Sequence, residues 1–231
     1  MKVIFVDTST PHIRLALLDN AQVICEKERT THNGQTSHVF QFCHELLEQS
    51  KWKIEELQGV VVCIGPGSFT GLRIGISFAK TLAFTLNIPI CGVSSLDALA
   101  AQITLPQEAL IVPLIDARRG ELYGKIFSFH PHQKREVKEE ASVLTPEKWI
   151  EKLSAQKENL FLCGNGFYAF KEQFLSQLSL EETDVSSLPP EASVNSFFAL
   201  AQKKLSNGGE DQNKILPLYI RPSDAEKTLS L

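Results

Sequence analysis

The sequence lacks any C-x-x-C pair: its five cysteines, Cys25, Cys43, Cys63, Cys91 and Cys163, are widely spaced and odd in number. That spacing suggests neither a disulfide framework nor a zinc site, and the thiols are expected to be reduced and semi-buried. Long apolar runs are also missing. Val60 to Ile64 is among the longest, far short of the roughly 20 residues of a membrane-spanning helix, so no membrane role is expected. Met1 to Asp7 enters a strand-like run without the basic start, apolar middle and small-residue cleavage site of a secretory signal; a cytoplasmic location is the expectation. Positive charge is scarce. The net charge is −4 and basic residues are nowhere denser than pairs such as Lys134-Arg135 and Lys203-Lys204, so the chain has no footprint for gripping a phosphate backbone by itself.

What is present is a chain of 231 residues, 43% apolar, enough for one large domain or two small ones. Three strand-like runs open it, Lys2 to Asp7, Ile13 to Asp19 and Gln22 to Arg29, joined by short turns. A polar loop from Thr30 to Thr36 leads to a helical segment from Ser37 to about Ser50, then to the buried-strand pattern Gly59 to Ile64. A helix from Thr70 to Leu86, a strand at "PICGV" and a helix at "SSLDALAAQI" complete the order βββαβαβα. A second, weaker cycle begins at Leu110 to Asp116, with a turn "ARRG", a strand from Glu121 to Phe129, a polar stretch to Ser142 and a strand Leu160 to Gly164. Helices are expected at Thr145 to Ser154, Phe167 to Leu175 and Val194 to Asn207, and a loop at Leu180 to Glu191. Both cycles open with a strand ending in aspartate, Asp7 and Asp116, which indicates two related lobes, residues 1–106 and 107–231.

The most distinctive stretch is "CIGPGSFTGLRIGISFAKTLAF", Cys63 to Phe84. It is no P-loop, because Leu72 rather than lysine follows Gly71. Nor is it a dinucleotide fingerprint, since Gly65, Gly67 and Gly71 read G-x-G-x-x-x-G. Two readings stay open. The amides at the helix start, with Ser68 and Thr70, suit an anion; alternatively the glycines make a tight strand-to-helix connection with positive φ.

The helix itself carries a core stripe of Leu72, Ile76, Ala79, Leu82, Ala83 and Leu86 within about 100° of arc. Beside it lie Ile74, Ser77, Phe78, Thr81 and Thr85, uncharged and mostly small, where an exposed helix would carry Lys and Glu. In the preceding helix Val39, Phe40, Phe42, Cys43, Leu46 and Leu47 spread over about 160°, more than one buried face requires. Either each helix is covered by other parts of the chain, or the two build a protein interface.

The motifs "VDTST", "GPGSFTGLRIG", "AKTLAF", "PICGVSSLDALA", "DARRGELY" and "PLYIRPSDAE", in this order from Val6 to Glu226, resemble the TsaB (YeaZ) family of tRNA threonylcarbamoyladenosine biosynthesis. Phe129 to Asp211 adds little beyond "CGNGFYAF". The resemblance implies an α/β actin-like, sugar kinase and Hsp70 (ASKHA) fold of two RNase H-like lobes, the second shortened. It implies a non-catalytic subunit that pairs with a TsaD-like catalytic subunit, alongside a TsaE-like ATPase, to modify the adenosine next to the anticodon in tRNAs reading codons that start with A. The helices would build the partner surface through Val39, Phe42, Leu46, Ile74, Ser77, Phe78, Thr81 and Thr85. Alone, the chain would bring no cofactor and could self-associate; tRNA, ATP or ADP and metal would enter only with the complex.

Residues suited to phosphate or nucleotide are Asp7, Thr8, Ser9, Gly65, Gly67, Ser68, Thr70, Gly71 and Arg73. The first three stand where actin-like ATPases touch phosphate and magnesium, or simply cap a strand end. The family's catalytic relative holds metal through histidines one helical turn apart, and no H-x-x-x-H exists here. His38 and His44 would point about 120° apart on a helix, and His130 with His132 suits a solvated loop. Two departures from the family pattern are Phe42-Cys43 in place of Leu-Pro, and Asn165 in place of aspartate. Rival readings are an active ASKHA ATPase or small-molecule kinase using Asp7 or Asp116, a peptidase without a supporting constellation, and a self-pairing scaffold.

Overall fold

The run KVIFVD has five of its six residues buried, as expected of a strand covered on both faces. It forms β1 (Lys2–Asp7) at the centre of a five-stranded sheet in a computed structural model that describes residues 1–30, 35–131, 135–178, 180 and 190–221. β2 (His12–Asp19) and β3 (Gln22–Thr30) continue the antiparallel meander. After α1 (Gln35–Ser50), β4 (Gly59–Gly65) runs parallel to β1, Val3 opposite Gly59 through Val6 opposite Val62. α2 (Phe69–Leu86) returns the chain to β5 (Ile90–Ser94), parallel to β4, and α3 (Ser95–Ala101) follows. The strand order is β3-β2-β1-β4-β5.

Alternation along β1 divides its side chains between two layers. Ile4 and Val6 join the cluster that includes Val39, Phe42 and Leu46 of α1 and Leu72, Ile76 and Ala79 of α2. Phe5 points the other way and meets Phe197 of α7 (Val194–Ser206) at 4.8 Å between ring centroids. Helices therefore cover both faces of this sheet.

The second sheet repeats the plan. β6 (Ala109–Asp116), β7 (Leu122–Phe129) and β8 (Glu136–Leu144) form the meander, and β9 (Leu160–Cys163) lies parallel to β6, giving β8-β7-β6-β9. Among the described residues no counterpart of β5 joins this sheet. α4 (Pro146–Ser154), α5 (Asn165–Ala169) and α6 (Lys171–Leu178) supply its helices. Its core holds Trp149, Phe167 and Phe174 fully buried, the Trp149 indole donating to Leu122 O at 3.1 Å. The fold is that of two RNase H-like lobes, the second reduced.

Three details differ from the sequence reading. The polar stretch to Ser142 contains β8, an edge strand with none of its side chains buried, so it leaves no hydrophobic signature. The helix expected from Phe167 to Leu175 is two, α5 and α6. In place of one boundary after residue 106, the chain divides into discontinuous units, Met1–Ala98 with Ser193–Leu218, and Leu99–Ala192 with Tyr219–Leu231. α7 joins the first unit because Phe197 packs on Phe5, and Glu210 N donates to Ile90 O at 2.8 Å. His132, most of the loops at 30–36 and 180–191, and the "PSDAE" part of the terminal motif lie outside the described residues.

Candidate functional site

The glycine loop closes over the end of β1. Gly65 has φ +96°, a conformation that favours glycine. Gly67 does not; its Cα lies so close to the first turn that an added Cβ would sit 2.2 Å from Ser9 O. The same Ser9 carbonyl accepts from Ser68 N at 2.6 Å. Ser68 is the N-cap of α2, its hydroxyl accepting from Gly71 N at 3.2 Å, while Thr8 Oγ1 donates to Gly71 O at 2.7 Å. Groups that could have cradled a phosphate thus dock α2 onto the β1–β2 turn.

Asp7, Thr8 and Ser9 are buried. Asp7 Oδ1 accepts from Ser9 N at 2.9 Å, and its other oxygen pairs with Arg14 Nη2 at 3.6 Å. Arg14 also faces Glu26 at 3.8 Å and stacks over the Phe5 ring. Beneath them the Cys63 thiol is held far above the usual thiol range, first by burial and then by the Asp7 charge. An aspartate tied to a neighbouring arginine and its own turn is a strand-end cap. Asp116 repeats the device in the second unit: its Oδ1 accepts from Arg118 N at 2.7 Å, and its N–H donates to Asn165 Oδ1 at 2.9 Å. Asn165, the departure from the family pattern, serves this turn. Among the described residues no group of three His, Cys, Asp or Glu side chains is placed to hold a metal ion.

The other candidate lies between α1 and α2, where a groove of about 820 Å³ is lined by Phe40, Cys43, His44, Leu47, Trp52, Phe78, Thr81 and Thr85, with Glu48, Lys51 and Glu55 at its margin. The Phe40 and Phe78 rings meet edge to face at 5.1 Å. Phe40 is 60% exposed and Phe84, farther along α2, 78%. Burial pushes the Cys43 thiol up to about 11, leaving it an inert wall. At the rim His44 Nε2 lies 3.4 Å from Glu48. A wide apolar trough with an exposed aromatic side chain in its wall suits a helix or another broad protein surface.

The expected partner residues divide. Ser77, Thr81 and Thr85 are exposed, and Ile74 is half-buried. Val39, Phe42 and Leu46 are core, at 0%, 6% and 0% exposure, because their side of α1 faces β2 and β3. Phe78 is buried too, though its ring lines the groove. The side of α1 that remains open is that of Phe40, His44 and Leu47. Phe84 was missed altogether. The available signal was an aromatic about 140° from the centre of its helix's apolar stripe; Phe40, at the edge of the apolar arc of α1, carries no such signal. Of the phosphate candidates, Thr70 and Arg73 are exposed, the Arg73 guanidinium lying over the Phe69 ring at 3.9 Å.

The family model described as "TsaD: tRNA N6-adenosine threonylcarbamoyltransferase" matches residues 30–227. The chain is 29% identical over 226 residues to the tRNA threonylcarbamoyladenosine biosynthesis protein TsaB of Bacillus subtilis, covering 98% of this chain and 96% of that protein. It is 31% identical to TsaB of Haemophilus influenzae, over 96% and 94% respectively. A solved structure of YeaZ from Pseudomonas aeruginosa superposes with a TM-score of 0.72 at 24% identity, over 94% of this chain and 99% of that one. A second structure from that organism, described as similar to the peptidase YeaZ, gives 0.74 at 23% identity over 95% and 99%.

Proposed function

The chain belongs to the TsaB (YeaZ) family, within the wider family of the TsaD model, and takes part in forming tRNA threonylcarbamoyladenosine; from that premise we propose that it does so as a non-catalytic subunit, docking a TsaD-like catalytic subunit through the α1–α2 groove. The observation that carries this is the apolar groove itself, with Phe40 of its lining left 60% exposed. Exposed aromatics on a rigid two-helix platform are poor solubility choices and good anchors. The platform is fixed by Val39, Phe42 and Leu46 below and by the glycine loop at the start of α2.

Catalytic inertness is supported by the engagement of the Asp7 carboxylate with Arg14 and Ser9 N, which leaves it a poor magnesium ligand or general base. Nucleotide, metal and tRNA would then be brought by the complex, with a TsaE-like ATPase as further partner and self-association through the same groove when the subunit is alone. No helix among the described residues is long and apolar enough to cross a membrane, and work on tRNA fits a cytoplasmic protein. Co-expression with a TsaD-like subunit, purification through a tag on this chain and assay of tRNA threonylcarbamoylation tests the reading. The expected result is a stable complex, with modification only when both chains are present. Modification by this chain alone would overturn its inertness, and failure to copurify would overturn the partner assignment.

A further inference from the structure

The β6–β7 turn holds two arginines in a conformation that arginine does not favour. Arg118 has φ +60° and Arg119 φ +57°, followed by Gly120 at +72°. Three successive left-handed residues are ordinarily the province of glycine and asparagine, and a residue with a Cβ there carries steric strain. The surroundings enforce it. Ala117 N donates to Glu121 O at 2.9 Å, Glu121 N to Arg118 O at 3.1 Å, and Arg118 N to the Asp116 carboxylate. Asp116 is itself held by Asn165. A strained residue kept in place by so many bonds points to a use for its side chain, since glycine would make the same turn without the strain.

Both arginines are exposed. The acidic neighbours in the turn are already engaged: Asp116 Oδ1 accepts the Arg118 amide, and Glu121 pairs with Arg221, whose guanidinium lies 5.9 Å from the Tyr123 ring centre. Arg118 is exposed at this hairpin tip, its backbone fixed by the hydrogen bonds of the turn. A planar, permanently charged fork in that setting matches phosphate oxygens. On a chain of net charge −4, such a group serves as one positioning contact within a larger surface.

We propose that Arg118, held out by the left-handed β6–β7 turn, contacts a phosphodiester of the tRNA on which the assembly acts. The inference rests on the reading of the chain as a subunit of that assembly. The test uses the parent, Arg118→Gly and Arg118→Lys, each mixed with a TsaD-like subunit, with assembly scored by size exclusion and binding of unmodified tRNA followed by fluorescence anisotropy across a salt series. Losing one phosphate contact should flatten the log K against log salt slope by about 0.7 to 0.9 and weaken binding about five- to eightfold near 0.1 M salt. Arg118→Gly should show that loss while assembling like the parent and melting at or above the parent's Tm, because glycine relieves the strain. Arg118→Lys should retain most of the slope.

A Gly variant with the parent's affinity and slope overturns the proposal. So does loss of assembly in the Gly variant at parental Tm, which would make Arg118 a protein contact, and so does a selective loss of ATP affinity with tRNA binding intact, which would assign it to a nucleotide. If the parent itself does not assemble, the partner reading fails and the Arg118 contact, which rests on it, falls with it, whereas a Gly variant of parental affinity in an assembled complex overturns the Arg118 contact alone.

Discussion

Replacing Thr81 by arginine separates the groove's two conceivable roles, because the cost falls in different places for core and for interface. Thr81 is exposed on α2 and lines the trough with Phe40 and Phe78. In the free chain a longer side chain can run along the groove into water, and arginine is a better helix former than threonine, so the stability change should stay within about 0.5 kcal/mol. In a complex the same guanidinium is buried against an apolar partner face. A buried charge without a partner costs about 3 to 5 kcal/mol, or roughly two to three and a half orders of magnitude in Kd. Thr81→Glu should be at least as damaging, since Glu48 and Glu55 line the same groove. The assay is paired: thermal melting of each variant alone, and titration against the TsaD-like subunit. Val39→Arg is the internal control, for Val39 is fully buried and that variant should unfold. Parental affinity of Thr81→Arg would refute the groove as the docking surface, and a large fall in its Tm would show that the position is packed in the free chain.

Gly67→Ala should lower stability by about 1 to 3 kcal/mol in chemical denaturation, through overlap with Ser9 O rather than through φ; a parental midpoint would refute the close approach. The Glu210 carboxyl, which burial alone would push up, is held below the ordinary 4.5 by Lys204 at 2.8 Å and Gly92 N at 2.9 Å. A depressed folded value means stability that is present above the ordinary carboxylate range and lost as pH falls through the folded value. Glu210→Gln should therefore be less stable than the parent near neutrality, with the gap closing in acid; a gap that is constant with pH would contradict the ion pair. Calorimetric titration of the isolated chain with magnesium ATP should give no saturable heat below millimolar nucleotide, and binding abolished by Asp7→Asn would restore the ATPase reading.

Much of this molecule was legible in its sequence, for reasons local to each segment. β1, β4 and β6 read as strands because burial on both faces writes a continuous apolar run, and α2 announces its start with Ser68 as cap and its glycine-lined entry. The doubled aspartate turns at Asp7 and Asp116 disclosed two related lobes, and the ordered motifs disclosed the family. β8 was illegible because an exposed edge strand needs no apolar alternation.

Only the tertiary structure decided which side of α1 faces the sheet. An apolar arc of about 160° is wider than one packed face, so periodicity alone could not tell Phe42, at 6% exposure, from Phe40, at 60%. That choice depends on where β2 and β3 lie. Nor could any local pattern show that α7, which begins one hundred residues after β5 ends, returns to cover the first sheet through Phe197 on Phe5, since a helix's apolar stripe says that it must be buried and nothing about which sheet will bury it.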